Sequence, residues 1–486
     1  MSNTYDALVI GGGHNGLVSA AYLARSGART LVLEGRGSLG GAATTEAPWE
    51  DAPHLRVTRL SYVMSLMPPT IIRELELERN GYKVHPMGPY YQAFPEGGSL
   101  TIYEDDPART YEQLARWSKK DAEAWPKWNA WLEGIADLLD DWFESPQIKG
   151  ALAVNGVIGT WAGPYEPGTA YVMAHHSIGD VGDGQLGSWG YPEGGMGAVS
   201  AAIAQSAREF GAEIRTNARV ARLLVSGGRV HGAVLENGDE VRAPLVVTTL
   251  HPKIAFLDHI PRTELPDDFV ADIEHWKTRS GVVKINLALG ELPNFTADPS
   301  SGLAEHHTGS VEMAPTMEYI EAAFQDARAG RPALMPFSDG VIPTTLDKTL
   351  NPDGTHIMSL FTQWVPADWS QAPHTEELDA YADRLIDLYD QVAPGFKSSI
   401  THRDIVGPHE MEREYGLIGG NIFHGELSLE QLFHMRPAPG YADYRTPISG
   451  LYNGSSGTHA GGGVCGIPGW QAARAALADK KRWRRR

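Results

Sequence analysis

The order of apolar and polar positions divides this chain into short buried strands, amphipathic helices and glycine-marked turns. Asp6 to Ile10 is a brief, mostly apolar run that reads as a buried parallel strand. Leu17, Ala20, Ala21 and Ala24 then recur at helical spacing, with Gly27 as the stop. Thr30 to Leu33 forms a second apolar run and ends on Glu34. Arg56 to Tyr82 follows a helical pattern, and Tyr90 to Tyr103 reads as extended about a Gly97-Gly98 turn. Between Thr110 and Glu144 a long amphipathic stretch places Trp125, Trp128, Leu132, Ile135, Leu139 and Trp142 on one helical face. That face either packs on the body of the protein or forms an aromatic lid or subunit contact.

Further along, Ala198 to Phe210 reads as a helix. A four-strand β-meander follows over 212–215, 220–225, 230–235 and 240–242, with Gly227-Gly228 and Asn237-Gly238 as hairpin turns. Leu245 to Thr249 returns to a buried strand. Val282 to Leu289 and Ile357 to Phe361 read as strands, and Glu376 to Val392 as a helix. Near the end, the strand Leu451 to Gly454 leads into a glycine loop. Pro468 then opens a helix through Ala478, since proline loses nothing in a first turn.

Between the first strand and helix lies Gly11-Gly12-Gly13-His14-Asn15-Gly16, with glycine at each G-x-G-x-x-G position. Gly11 permits the tight turn, Gly13 the approach of a pyrophosphate, and Gly16 the close packing of helix on strand. The helix N-terminus offers unpaired N–H groups and partial positive charge to phosphate, and His14 and Asn15 belong to this turn. Glu34 can accept hydrogen bonds from a ribose diol. These parts, in this order, predict a dinucleotide site. A second glycine-rich segment, Gly35-Arg36 through Gly40-Gly41-Ala42, begins at the ribose acid and can line a long, bent cofactor.

Composition narrows the picture. A net charge of -19 argues against nucleic-acid binding, and the single cysteine excludes an intramolecular disulfide, a cysteine zinc site and a redox cysteine pair. No histidine pattern matches a metal site. No apolar run approaches the roughly 18 residues of a spanning helix, and the start of the chain leaves no room for a leader. A reducing, cytoplasmic location fits. Lys480 to Arg486 is basic, and reads either as a solvated tail or as an electrostatic foot on an anionic membrane.

Taken together, the fingerprint, the Gly40-Gly41 loop and Gly457-Thr458-His459-Ala460-Gly461-Gly462-Gly463-Val464 resemble FAD-dependent oxidoreductases of the phytoene desaturase and carotenoid isomerase type. These belong to the wider amine-oxidase superfamily. Leu60 to Leu66, Trp142-Phe143-Glu144-Ser145 and Gly159 to Pro164 resemble its branch called pyridine nucleotide-disulfide oxidoreductase domain-containing protein 2.

The resemblance implies an α/β fold. A composite Rossmann-type FAD domain spans 1–75, 190–255 and 415–486, and a mixed-sheet substrate domain is inserted at 76–189 and 256–414. It implies FAD rather than NAD, with Arg36 and Gly40 to Ala42 lining the cofactor and Val220 holding the adenine through its backbone. Gly457, Gly463, Val464, Cys465 and Gly466 would lie against the flavin. Cys465 reads as a buried small residue, with a covalent flavin link as the alternative. Relatives carry a helical insertion between Glu133 and Trp142 that this chain lacks, which predicts a smaller cap or a different oligomer.

The implied activity is dehydrogenation or isomerisation of a hydrophobic, polyene- or terpenoid-like small molecule. Electrons would pass to a separate acceptor, such as oxygen or a quinone. An amine oxidase and a non-catalytic flavin-binding interaction protein are the competing readings. His176 and His459 are the candidate catalytic bases, because histidine titrates near neutrality.

Overall fold

The computed structural model describes residues 4–103, 106–128, 139, 142–181, 187–351 and 353–483. Its first core is built around strand β1 (Ala7–Ile10), helix α1 (His14–Arg25) and strand β2 (Thr30–Leu33). A five-stranded parallel sheet runs in the order Leu451–Asn453, Val246–Thr248, β1, β2, Glu213–Arg215. β1 and β2 are buried along their whole length because both faces are covered, the usual condition of a parallel sheet.

Alternation along β1 assigns the two faces. Ala7 and Val9 join Leu17, Ala20 and Ala21 under α1, which packs beside the helices Met196–Glu209 and Ile467–Trp483. Leu8 and Ile10 point the other way, against Val220, Leu223 and Val230 of a three-stranded antiparallel meander. The predicted four-strand meander is therefore corrected. Glu213–Arg215 pairs in parallel with β2, and the three later strands form the meander alone.

Two further expectations are revised. The helix expected over 56–82 is confined to Pro69–Glu74. The segment before it is extended at Val57–Thr58, where it pairs antiparallel with Thr45–Glu46. Phe256, Phe269, Val270 and Ile273, assigned above to the inserted domain, pack instead into the core beneath the meander. Their apolar faces have the first sheet as their nearest partner, so the inserted piece effectively begins near the strand Val282–Leu289.

The second core surrounds a seven-stranded mixed sheet. Its order is Ile400–Val406, Val282–Leu289, His356–Gln363, Phe337–Val341, Ser310–Met313, Tyr90–Ala93, Ser99–Ile102. Helices Pro146–Val157, Met317–Arg328 and Thr375–Val392 contribute to its apolar core. In the amphipathic region Leu139 and Phe143 are buried, and Trp142 packs against them in part. Leu132, Ile135 and the shortened stretch 133–138 lie outside the described residues, as do the side chain of Trp128 and residues 484–486 of the basic tail.

Arg59 joins the two cores. Its guanidinium lies 2.9 Å from Glu414 and 3.2 Å from Asp404, and it shares Glu46 with Arg36.

The α1–β1 contact leaves no room for a side chain. A Cβ at Gly16 would stand 2.0 Å from the Gly11 carbonyl oxygen, while the Gly11 N–H is held by Leu33 O at 2.9 Å. Gly16→Ala is expected to cost about 3 kcal/mol, the upper range for overpacking a fixed backbone. A urea midpoint equal to that of the unaltered protein would contradict this packing.

Candidate functional site

One cavity of about 1030 Å³ lies between the two cores and is lined by both. Gly11, Gly13, His14, Asn15, Glu34, Gly35, Arg36, Gly40, Gly41, Ala42 and Val220 line its first end. Gly463 and Val464 reach it from the C-terminal loop, and His176 from the inserted unit.

Local chemistry explains this first end. Glu34 accepts the Gly12 N–H at 2.6 Å and the Arg36 N–H at 2.7 Å, which fixes its carboxylate at the lip of the glycine turn. The Arg36 guanidinium pairs with Glu46 at 2.9 Å and lies over the Tyr415 ring at 4.3 Å. Gly13 is a glycine that the protein's own packing does not require. A Cβ there would find its nearest neighbour at 3.8 Å, an ordinary contact, so the fold has room for a side chain that this cavity-lining turn does not carry.

The N-terminal turn of α1 is tied to the far end of the chain. His14 makes a hydrogen bond to the Gly463 backbone, Asn15 Nδ2 donates to Ser456 Oγ at 3.2 Å, and Ser19 Oγ donates to Gly469 O at 2.8 Å. Opposite, His175 Nε2 lies 3.2 Å from Gly462 O. Arg436 is fully buried and donates to the Ser456, Thr458 and Phe423 carbonyls among others, with its charge spread over backbone oxygens.

Five predicted residues stand off the cavity. Gly16 serves the α1–β1 packing. A Cβ at Gly457 would meet Pro252 at 2.4 Å, and one at Gly466 would meet Val18 at 3.0 Å, so both are packing glycines. Cys465 is buried and its thiol is pushed up to about 11 by desolvation, which makes it a poor nucleophile for a covalent link. His459 is half-buried beside Phe433, with ring centroids 5.8 Å apart, rather than on the cavity wall. Of the two candidate bases only His176 lines the cavity. Its Nδ1 lies 2.9 Å from Val172 O and 3.0 Å from Asn155 O, so Nδ1 carries the proton and Nε2 is left as an acceptor.

The opposite wall holds residues that the sequence reading passed over. Glu312, Asp339, Phe361 and Lys284 are successive cross-strand partners on four strands of the mixed sheet, so their side chains share one face. All four line the cavity. Gln92, opposite Glu312 on the next strand, extends the row and is fully buried with no partner for its amide.

Lys284 is fully buried, donates to Asn286 Oδ1 at 3.0 Å and to Ser359 Oγ, and lies 5.2 Å from the Tyr62 ring centre. Burial pushes its ammonium down to about 7, against the pull of Asp404 and Asp339. Tyr62 donates to Asp339 Oδ2 at 2.5 Å. Burial first, and Asp339 second, hold the Glu312 carboxyl well above the usual range. A signal was available: each of Val282–Leu289, Ser310–Met313 and Phe337–Val341 carries an ionisable residue inside a wholly buried strand.

A Rossmann-type sheet joined to a mixed-sheet unit, with one cavity between them, defines a two-domain dinucleotide-dependent oxidoreductase. Comparison with known proteins agrees. Residues 9–71 match the NAD(P)-binding Rossmann-like domain model, and residues 156–386 the flavin containing amine oxidoreductase model. Pyridine nucleotide-disulfide oxidoreductase domain-containing protein 2 of Rattus norvegicus is 39% identical over 98% of this chain and 94% of its own length. Phytoene desaturase (lycopene-forming) of Pseudescherichia vulneris is 24% identical over 97% of this chain and 98% of its own. Cyclohexylamine oxidase of Brevibacterium oxydans shares the fold, with a TM-score of 0.59 at 17% identity over 98% of this chain and 99% of that one.

The chain belongs to the pyridine nucleotide-disulfide oxidoreductase domain-containing protein 2 family, within the FAD/NAD(P)-binding amine oxidase and phytoene desaturase superfamily. It is a flavin-dependent oxidoreductase of that superfamily.

The residues present fit a flavin dinucleotide. Besides the open face at Gly13, His14 Nε2, Asn15 Oδ1, His251 Nε2 and His424 Nδ1, buried polar atoms on cavity-lining residues, lack any partner. Buried polar groups are normally satisfied, and a phosphate- and hydroxyl-rich molecule would satisfy these. Burial keeps the rings neutral: His14 is pushed down to about 4 and His424 to about 3. Glu34→Gln places an NH2 against a backbone N–H and is expected to weaken FAD retention roughly tenfold or more. Flavin absorbance per protein after gel filtration measures this, and undiminished retention would contradict the placement of Glu34.

Proposed function

We propose that this protein uses FAD to remove hydrogen from, or to isomerise, a hydrophobic small molecule of polyene or terpenoid type. The observation that carries the reading is the cavity itself, which joins a glycine-lined dinucleotide end to an apolar chamber bordered by a buried ionisable row. A flavin held at this site would supply the hydride-accepting chemistry for a substrate C–H bond. The chain's own residues would supply three things. Ile102, Leu152, Ile158 and Met173 form apolar wall that binds the body of the substrate and excludes water. Gly463 and Val464 orient the cofactor from the C-terminal loop. Lys284, poised near neutrality, takes or holds a proton at Nζ, the protonation range that suits a general base.

A separate electron acceptor, oxygen or a quinone, completes the proposal, because the sequence offers no second dinucleotide fingerprint and no redox cysteine pair. The competing substrate class is an amine, favoured by the family model over residues 156–386. Anaerobic mixing of the flavin-loaded protein with terpenoids, polyenes and amines separates the two. Bleaching by terpenoids or polyenes supports the proposal, bleaching by amines alone supports the second reading, and no bleaching by any compound rejects both.

Lys284 gives the reaction a pH signature. Because its ammonium is depressed to about 7, it is a free base above that pH and a blocked one below. The rate of flavin reduction should rise as pH increases through about 7. Lys284→Met should lower the rate roughly hundredfold and flatten the profile. A profile that the substitution leaves unchanged would remove Lys284 from the chemistry.

A further inference from the structure

The far wall of the cavity carries a hydrogen-bonding demand that a bare hydrocarbon cannot meet. Glu312 is 2% exposed, lines the cavity, and its Oε2 has no partner. Its other oxygen, Oε1, lies 2.7 Å from Ser310 Oγ, which lies 2.5 Å from Asp339 Oδ1. Asp339 Oδ2 accepts a hydrogen bond from the Tyr62 hydroxyl at 2.5 Å. The Tyr90 hydroxyl donates to the Ala151 carbonyl at 2.7 Å and also interacts with the Glu312 carboxyl, but makes no bond of hydrogen-bond geometry to Oε2.

Ser310 has one hydrogen for two oxygens. Both of its contacts are satisfied when one carboxyl carries a proton directed at Ser310. With that proton on Glu312 Oε1, Oε2 is a carbonyl-type acceptor. In that arrangement Oε2 has no donor, and the Asp339 oxygens are engaged by Ser310 and Tyr62.

We propose, on the reading that this cavity is the substrate site, that the substrate is an alcohol: an apolar molecule whose hydroxyl donates to Glu312 Oε2. The valence count decides among head groups. A hydroxyl brings one donor to one open acceptor. An ammonium brings three N–H groups, two of which would be buried without partners, and it would sit on a row that already holds Lys284. A carboxylate brings no donor and meets Asp339. The apolar body of the molecule has Trp125, Leu152, Ile158 and Met173 to lie against.

The test is calorimetric titration of the flavin-saturated protein, its flavin first reduced with dithionite so that it takes up no hydride, without oxygen, with geraniol, its deoxy hydrocarbon, geranylamine and geranic acid. Geraniol is expected to bind roughly tenfold more tightly than the hydrocarbon, the effect of satisfying one buried acceptor. Glu312→Leu should reduce geraniol to the affinity of the hydrocarbon while leaving the hydrocarbon unchanged. Glu312→Gln, which keeps an acceptor oxygen, should retain the preference. Equal binding of geraniol and the hydrocarbon, tightest binding of the amine, or no binding by any of the four overturns the proposal, as does a preference that survives Glu312→Leu. If the leucine variant does not fold, the four-ligand ranking on the unaltered protein and the glutamine variant decide. Binding is read without turnover, so failure of geraniol to reduce the flavin counts against the oxidoreductase chemistry proposed above and not against the head-group assignment.

Discussion

The site depends on one long-range closure, in which the N-terminal turn of α1 is held against the C-terminal glycine loop. Asn15 meets Ser456 across 441 residues of chain, and Ser19 meets Gly469 across 450. Both C-terminal partners follow on Leu451–Asn453, which lies beside Val246–Thr248 in the parallel sheet. Everything between these ends is therefore folded around a joint made by the two termini. Gly16 sets how closely α1 lies on β1, and that distance sets where the glycine turn, Glu34 and the loop at Gly463 stand relative to one another. Arg436 secures the same loop from behind by donating to its carbonyls.

Against this rigid dinucleotide end stands a wall that is expensive to build. Two carboxyl groups directly opposite one another across antiparallel strands repel, and a lysine buried on the same face loses its hydration. The protein limits the cost by protonation and by hydroxyl partners: Ser310 between the carboxyls, Tyr62 on Asp339, Ser359 on Lys284. An aliphatic row would pack this sheet more stably. Ionisable groups with strongly shifted protonation in a cleft mark chemistry more often than structure, and here they face the cavity that the dinucleotide turn also lines.

The nucleotide end was legible in the sequence because its physics is local. The turn Gly11–Gly16, the strand before it and the acid after it are contiguous, and each has a backbone reason for its residue type. The β-hairpins at Gly227-Gly228 and Asn237-Gly238 were legible for the same reason. Glu213–Arg215 was misplaced in the meander because sheet membership is a long-range choice that a three-residue strand does not encode. The ionisable row was invisible for a related reason. Lys284, Glu312, Asp339 and Phe361 come from four separate strands, and only the register of the sheet brings them together. His459 looked catalytic because it lies in the glycine loop, yet the backbone turns it toward Phe433 and away from the cavity.

The central claim is that the glycine-lined turn and the ionisable wall serve a single reaction space. A crystal structure of the protein with FAD tests this most directly. The account predicts the adenosine between Glu34 and Val220, and the flavin ring system between the Gly463-Val464 loop and the wall of Tyr62 and Lys284. A ring system placed elsewhere, with Lys284 and Glu312 remote from it and screened by protein, would contradict the account.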